Sequence, residues 1–313
     1  MTRPGALLTC LTACLGLVAA PAAQAGLRAE FLYELVDASG TLQLSWATPV
    51  WDEANGELYV VDRSTGLVNV FNHNGVVVFQ FGEDLGALRA TGVLPLEGGD
   101  LLVLGTSDKE GWKLLRCNYR GEVLREVVVQ GLPAAFARAF APSVLRQSLG
   151  KVYLADLGNK KVAVVSPAGL VEDTFDLAAL MKLSARMSAD NELRSINVDP
   201  LGNLLFTAPT LFTAYVLSPT GELRTFGSRG SAPGKFNIVG GIAADEQGRL
   251  FVTDLLRSVV MVFDREFNFQ GEFGYRGDSA VSLTSPLDLA VAGGQLFVSQ
   301  SVGGLKVYSV HLE

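Results

Sequence analysis

The sequence predicts an all-β chain folded as a six-bladed β-propeller of four-stranded antiparallel blades. Three observations carry the prediction. A glycine-led heptad recurs six times, short apolar strands flank every copy, and a spare strand at the N-terminus matches one missing at the C-terminus.

The heptad is clearest in GRLFVTD (residues 248–254), GELYVVD (56–62) and GKVYLAD (150–156). Weaker copies are GDLLVLG (99–105), GNLLFTA (202–208) and GQLFVSQ (294–300). The leading glycines are 43, 51, 52, 46 and 46 residues apart. Thirteen residues after the seventh position a second glycine follows in three copies, as Gly75, Gly169 and Gly221. The second copy reaches Gly121 three residues late, and the fifth holds Phe267 in that slot. Between the two markers runs another apolar strand, such as VNVF (68–71) or VMVF (260–263). A third follows the second marker, as in VVVFQFG (76–82), and a fourth precedes the heptad, as in GIAAD (241–245). Strands apolar on both faces are expected where each sheet packs between two neighbours.

The sixth copy stops after LKVYSV (305–310), one strand short. The segment LRAEFLYELV (27–36) alternates Ala29, Phe31, Tyr33 and Leu35 with Arg28, Glu30 and Glu34. It is expected as the outer strand of blade six, closing the ring and removing its exposed edges.

Residues 1–25 stand apart from this pattern. Arg3, an apolar run from Ala6 to Ala20, Pro21 and the small residues of AQA (23–25) have the order of a secretory signal peptide, which places the mature start at Gly26. A second reading takes LTAC (11–14) as a lipobox with Cys14 as the lipid-modified residue. The mature chain is then a single propeller domain, 26–313, exported to the periplasm or the cell exterior. It carries 24 basic and 32 acidic residues, a net charge of −8. That lacks the basic footprint of a nucleic-acid binder. No apolar run beyond the leader approaches the ~18 residues of a membrane span. Cys117 alone remains of three cysteines, so no intrachain disulfide forms and the core must carry the stability.

PGKFNIVGGIAADEQGRLFVTDLLRSVVMVFD (233–264) resembles an NHL repeat, with its glycine-rich lead-in, G-I-A-V-D, turn glycine, aromatic-V-A-D strand and V-x-V-F strand. Blades five and three follow the pattern well, one and six moderately, two and four weakly. The resemblance spans essentially the whole mature chain and implies a six-bladed binding platform, although related propellers include enzymes. TPVWDEANGELYVVD (48–62) also resembles the first blade of the calcium-dependent lactonase propellers (the SMP-30/gluconolactonase group), whose motif is E-G-P-V-W-D. Their metal-ligating glutamate falls on Ala47, and the corresponding lead-ins elsewhere hold Ser143, Arg194 and Gly240. A hard cation needs several converging oxygens, so that likeness implies architecture and assigns no metal.

The remaining candidates divide similarly. Asp62, Asp156 and Asp254 end their heptads, but the slot holds Gly105, Ala208 and Gln300 in the other copies, so a loop-capping role is expected rather than a cation ring. Asp52, Asp199 and Asp245 are expected as turn formers. His73 lies in the turn NHNG and His311 near the C-terminus, too few and too peripheral for the zinc site of an amidating-lyase propeller. Cys117 reads as a small core residue.

Two insertions, 131–143 and 176–193, hold short helical patterns, with Phe136 and Phe140 four apart and Leu177, Leu180, Met181 and Met187 at helical spacing. They are expected, with an enlarged loop at 105–112, on one face of the ring, either packed down or forming a partner surface. The residues just before each first strand, Thr48, Gly92, Ser143, Arg194, Gly240 and Asp288, are expected around the tunnel mouth. Trp112, Arg194 and Asp288 are the candidate binding residues; no catalytic residue, metal or cofactor is assigned. The expected function is a non-catalytic scaffold for a protein or envelope component. The alternative is a lactonase-like or lyase propeller with a divergent site.

Overall fold

The computed structural model describes residues 26–35, 47–277, 279 and 281–312. Residues 1–25, expected as a leader and including Cys14 and Pro21, and Val36 of the closing segment lie outside them. The chain opens with β1 (Leu27–Glu34) and then builds blades in order. Blade one is β2 (Thr48–Asp52), β3 (Glu57–Asp62), β4 (Leu67–Phe71) and β5 (Val77–Phe81). Blade two is β6 (Arg89–Pro95), β7 (Leu101–Ser107), β8 (Gly111–Cys117) and β9 (Val123–Glu126). Blade three is β10 (Val144–Ser148), β11 (Lys151–Asp156), β12 (Lys161–Val165) and β13 (Val171–Asp176). Blade four is β14 (Ser195–Val198), β15 (Leu204–Ala208), β16 (Thr213–Leu217) and β17 (Leu223–Phe226). Blade five is β18 (Val239–Ala244), β19 (Leu250–Asp254), β20 (Val259–Phe263) and β21 (Phe269–Phe273). Blade six is β22 (Pro286–Ala292), β23 (Gln295–Gln300), β24 (Lys306–Leu312) and, returning from the start of the chain, β1.

The repeat glycines have a backbone cause. All six heptad glycines adopt positive φ in the turn between the first and second strands, from 64° at Gly56 to 88° at Gly99, a region that a Cβ disfavours. The thirteenth-residue marker turns likewise, and in blade five Phe267 accepts φ 70° there. Its ring stacks on Phe226 at 4.6 Å, with the Arg224 guanidinium over it at 4.2 Å, contacts that offset the strain.

The core is divided rather than central. Among the described residues six apolar clusters occur, one in each groove between adjacent blades. Successive residues of a second strand alternate between two of them: Leu58 and Val60 face blade six, Tyr59 and Val61 face blade two. Cys117 is a buried member of the groove between blades one and two, and burial pushes its thiol up to about 11. The packing expectation for it holds.

The heptad aspartates prove to be staples. Asp62 accepts from the Ser64 amide and the Ser64 and Thr65 hydroxyls of the following loop. Asp156 and Asp254 do this and also reach the preceding interblade connection, accepting from the amides of Ala141 and Asn237 at 2.8 and 2.7 Å. In blade six the Gln300 carboxamide replaces the carboxylate and accepts from the Thr284 amide.

The insertions form α1 (Ala134–Ala137), α2 (Leu177–Leu180) and α3 (Ala185–Asp190). They pack onto the ring: Phe136 and Phe140 enter the groove between blades two and three, and Leu177 and Leu193 that between three and four. Met187, expected on the same stripe, is exposed. Lys182 takes a left-handed φ of 55°, breaks the helix after α2 and ends the stripe at Met181. The buried Lys160 amine, its pKa lowered by burial, donates to the Gly158 and Ser188 carbonyls and fastens α3 to blade three. The segment 105–112 is no enlarged loop; Thr106 pairs with Trp112 and Ser107 with Gly111, so it is a lengthened hairpin with a tight tip.

β1 pairs antiparallel with β24 from Leu27↔Leu312 to Glu34↔Lys306, with a bulge at Leu32 that turns Tyr33 away from the blade-five groove of Leu27, Ala29 and Phe31 and into the groove shared with blade one. Glu34 then accepts from the Gly304 amide, and Leu35 is buried against blade one. Deleting 26–35 should uncover β24 and cost several of the roughly 5–15 kcal/mol holding such a domain. The expected result is a melting temperature lower by about 5 °C or more; an unchanged one would refute the strand's part in closure.

Candidate functional site

The first strands line the axis, and register identifies which side chains face it. Opposite the fourth heptad position in each blade stand Val50, Leu94, Arg146, Asn197, Ala243 and Ala290. All six line an axial cavity of about 1030 Å³ that opens on the face of the tight turns. Arg146 is the single charge in that ring. Toward the other face, where the insertions emerge, the axis widens into a mouth of about 280 Å³ lined by Arg63, Leu157, Gly158, Glu192, Leu193, Arg194, Leu287 and Asp288.

Arg146 and Asp288 separate the two spaces. Arg146 is buried on blade three and its Nη2 lies 3.5 Å from Asp288 Oδ2 on the opposite blade six. Asp288 Oδ1 accepts from the Ser195 hydroxyl of blade four at 2.8 Å and from the Leu289 amide. Asn197 reaches the Leu289 carbonyl. Blades three, four and six are therefore braced across the axis by polar contacts. Gly241 permits the arrangement: a Cβ there would lie 2.6 Å from Asp288 Cα.

Two further guanidiniums join. Arg63, directly after the Asp62 staple, donates from Nη2 to the Ser143 carbonyl at 2.8 Å, while its Nε is shielded from solvent without a hydrogen-bond partner among the described residues. Arg194 is half-buried at the lead-in of blade four, its amide bonded to the Thr207 carbonyl. Burial lowers all three guanidinium pKa values while Asp288 raises them, and Arg63 further lowers Arg146 and Arg194. An arginine nevertheless stays charged. The cluster sets three positive charges near Asp288, and Glu192 at the same mouth acts on Arg194 in the same direction as Asp288.

Of the expected binding residues, Arg194 and Asp288 share this mouth, with Ser143 beside them through Arg63. Trp112 does not. It is half-buried between blades two and three, edge-on to Phe140 at 5.8 Å, and its indole N–H donates to the Phe140 carbonyl. It anchors the first insertion. His73 lies in a tight turn on the opposite face, a turn capped by Asn72, whose Oδ1 accepts from the Asn74 and Val76 amides. Arg63 and Arg146 escaped the sequence reading; aligning the axis-facing slot across six blades isolates Arg146 as its one charged occupant.

The donor set does not suit calcium. At the ligand positions of the lactonase pattern stand buried Ala47, Ser143, Arg194 and Gly240, and guanidiniums repel a cation. Among the described residues no group of three or more histidine, cysteine or acidic side chains could hold a metal ion, and no helix is long and apolar enough to cross a membrane.

The chain matches no protein-family model and no curated protein. Solved structures resemble it. A structural-genomics protein of unknown function from Bacteroides thetaiotaomicron aligns at TM-score 0.64 and 11% identity, over 91% of this chain and 77% of that one. The calcium-binding protein regucalcin from Agrobacterium tumefaciens aligns at 0.58 and 15%, over 89% and 95%. Virginiamycin B lyase from Staphylococcus aureus aligns at 0.54 and 12%, over 83% and 79%. At such identities the likeness establishes the fold: the chain is a six-bladed β-propeller.

The packing of Trp112 makes a stability prediction. Trp112→Ala should cost about 2–4 kcal/mol in urea unfolding by emptying the Phe140 contact. Lys109→Ala, at the exposed tip of the same hairpin, should stay within about 0.5 kcal/mol. Equal midpoints for the two variants would return Trp112 to the surface.

Proposed function

We propose that the protein is an exported, non-catalytic propeller of NHL-repeat type that binds a protein or envelope component on the face carrying the insertions. One observation carries the reading: the axial mouth of that face is lined by Arg63 and Arg194 beside Glu192 and Asp288, and the oxygens of Asp288, the acid on the axis, are already engaged. A general base needs a lone pair free to take a proton from substrate. The oxygens of Asp288 are engaged by Ser195, the Leu289 amide and Arg146. This ranks the lactonase-like or lyase reading second. A binding role needs only a rigid, shaped and charged concavity, which braced first strands supply.

Export follows from the leader pattern of residues 1–25 and assigns the periplasm or the cell exterior. Intact-mass analysis of the exported protein is expected to give Gly26 as the N-terminus; a diacylglycerol adduct on Cys14 would substitute the lipid-anchored form.

Capture of its partner by the cross-linked mature chain in the native envelope tests the face. Arg194→Ala should weaken capture about tenfold or more, as truncation of a central interface arginine does. His73→Ala, in a turn of the opposite face, should leave it unchanged. Capture that survives the first change and fails with the second places the partner on the other face.

A further inference from the structure

The larger axial space lies on the face of the tight turns, away from the looped face. Its floor is the ring of first-strand side chains, where Arg146 is engaged by Asp288 and by the preceding Leu145 carbonyl. Above that ring the wall is largely apolar, with Leu94, Leu96, Val198, Ala290 and Ala292 facing the space. Half-buried Trp51 stands beside them, stacked on Phe297 at 6.3 Å and donating its indole N–H to Glu53. Two or three residues of strand separate the ring from the turns, roughly 10 Å. The cavity of about 1030 Å³ is therefore short and wide.

Its rim is acidic. Asp52, Glu53, Glu97, Asp245 and Glu246 line the cavity against two bases, Arg146 and Arg249. Arg249 pairs with Asp245, and Arg146 has Asp288, which is not part of this lining. Asp52 is engaged by the Ala54 amide and the Asn55 carboxamide of its own turn. Glu53, Glu97 and Glu246 are exposed, and none of them forms an ion pair among the described residues. Arg265 stands behind the blade-five turn, its Nε on the Gln247 carbonyl, and does not line the cavity.

We propose that this cavity binds a small organic cation with a compact apolar body, the body seated on the apolar wall and the cation held at the rim by Glu53, Glu97 and Glu246 beside Trp51. The volume stands at the upper end of small-ligand sites, which are mostly apolar with a few placed polar groups. An apolar body gains by displacing water from that wall. A concavity lined by one sign of charge on low-dielectric walls concentrates ligands of the opposite sign. An indole ring beside a carboxylate suits an ammonium group in particular. Arg146 at the floor repels a cation placed deep in the axis, so the charge stays at the rim and the body points inward. The site is separate from the looped face and does not depend on the partner proposed there.

The test uses three probes that share one apolar body: 1-adamantylammonium, 1-adamantanol and 1-adamantanecarboxylate. Each is titrated calorimetrically into the mature chain at low ionic strength. The ammonium is expected to bind with Kd below ~1 mM, the alcohol measurably but more weakly, and the carboxylate about tenfold or more below the ammonium. Changing Glu97→Gln together with Glu246→Gln should weaken the ammonium about three- to tenfold and leave the alcohol unchanged, a split that a purely structural role would not give. Ala290→Leu, which fills part of the cavity, should weaken ammonium and alcohol alike. Glu266→Gln, an exposed acid on an outer turn of the same face, should change nothing. An ammonium Kd above ~1 mM overturns the site, and so does a carboxylate that binds as tightly as the ammonium. Equal weakening by Glu266→Gln and by the double glutamine variant also overturns it, by reducing the effect to general charge attraction. The glutamine changes lie on exposed turns, so the site can be rejected even if Ala290→Leu fails to fold.

Discussion

Every blade is apolar on both faces, and this one constraint organises the molecule. Val60 and Val61 are adjacent on β3, both fully buried, and they belong to different interblade clusters. A sheet of this kind cannot end against water, because its last face would expose a full groove of valine, leucine and phenylalanine. Six grooves need six blades in a closed ring, and the N-terminal strand completes the last sheet after some 270 residues of intervening chain. The same strand delivers Tyr33 and Leu35 to the cluster shared with blade one, so a single hydrogen-bonded pairing seals both an edge and a groove.

Closure also decides what the axis looks like. Bringing six first strands together forces their inward side chains into one narrow space, where Val50, Leu94, Ala243 and Ala290 are apolar or small. Polar residues there find partners across the ring as well as in the backbone of their own strands. Arg146, Asn197, Ser195 and Asp288 do so, joining blades three and four to blade six. The Asp156, Asp254 and Gln300 staples hold the interblade connections around the rim in fixed positions. The charge at the mouth therefore stands on rigid elements, which keeps recognition groups preorganised.

Architecture was legible because it repeats. Six copies of a glycine needed for positive φ, and strands with fixed spacing, announce themselves in one dimension, and so does an amphipathic strand such as LRAEFLYELV. The site was only half legible. Arg194 and Asp288 stood out because they occupy lead-in positions that can be counted back from each heptad. Arg63 follows an aspartate in a loop and Arg146 lies inside a strand, where neither position nor spacing reveals the axis; only strand register does. The packing of Trp112 was hidden for a related reason. A tryptophan beside a charged hairpin tip reads as a surface anchor until the insertion carrying Phe140 is seen folded against it.

Closure of the ring by β1 is the constraint on which both grooves of blade six and the fixed axis depend. Amide hydrogen exchange, followed strand by strand, measures it directly. Closure predicts that the β1 and β24 amides exchange as slowly as those of β3 and β19, because all belong to one cooperative ring. β1 amides exchanging orders of magnitude faster than those of β3 would contradict it.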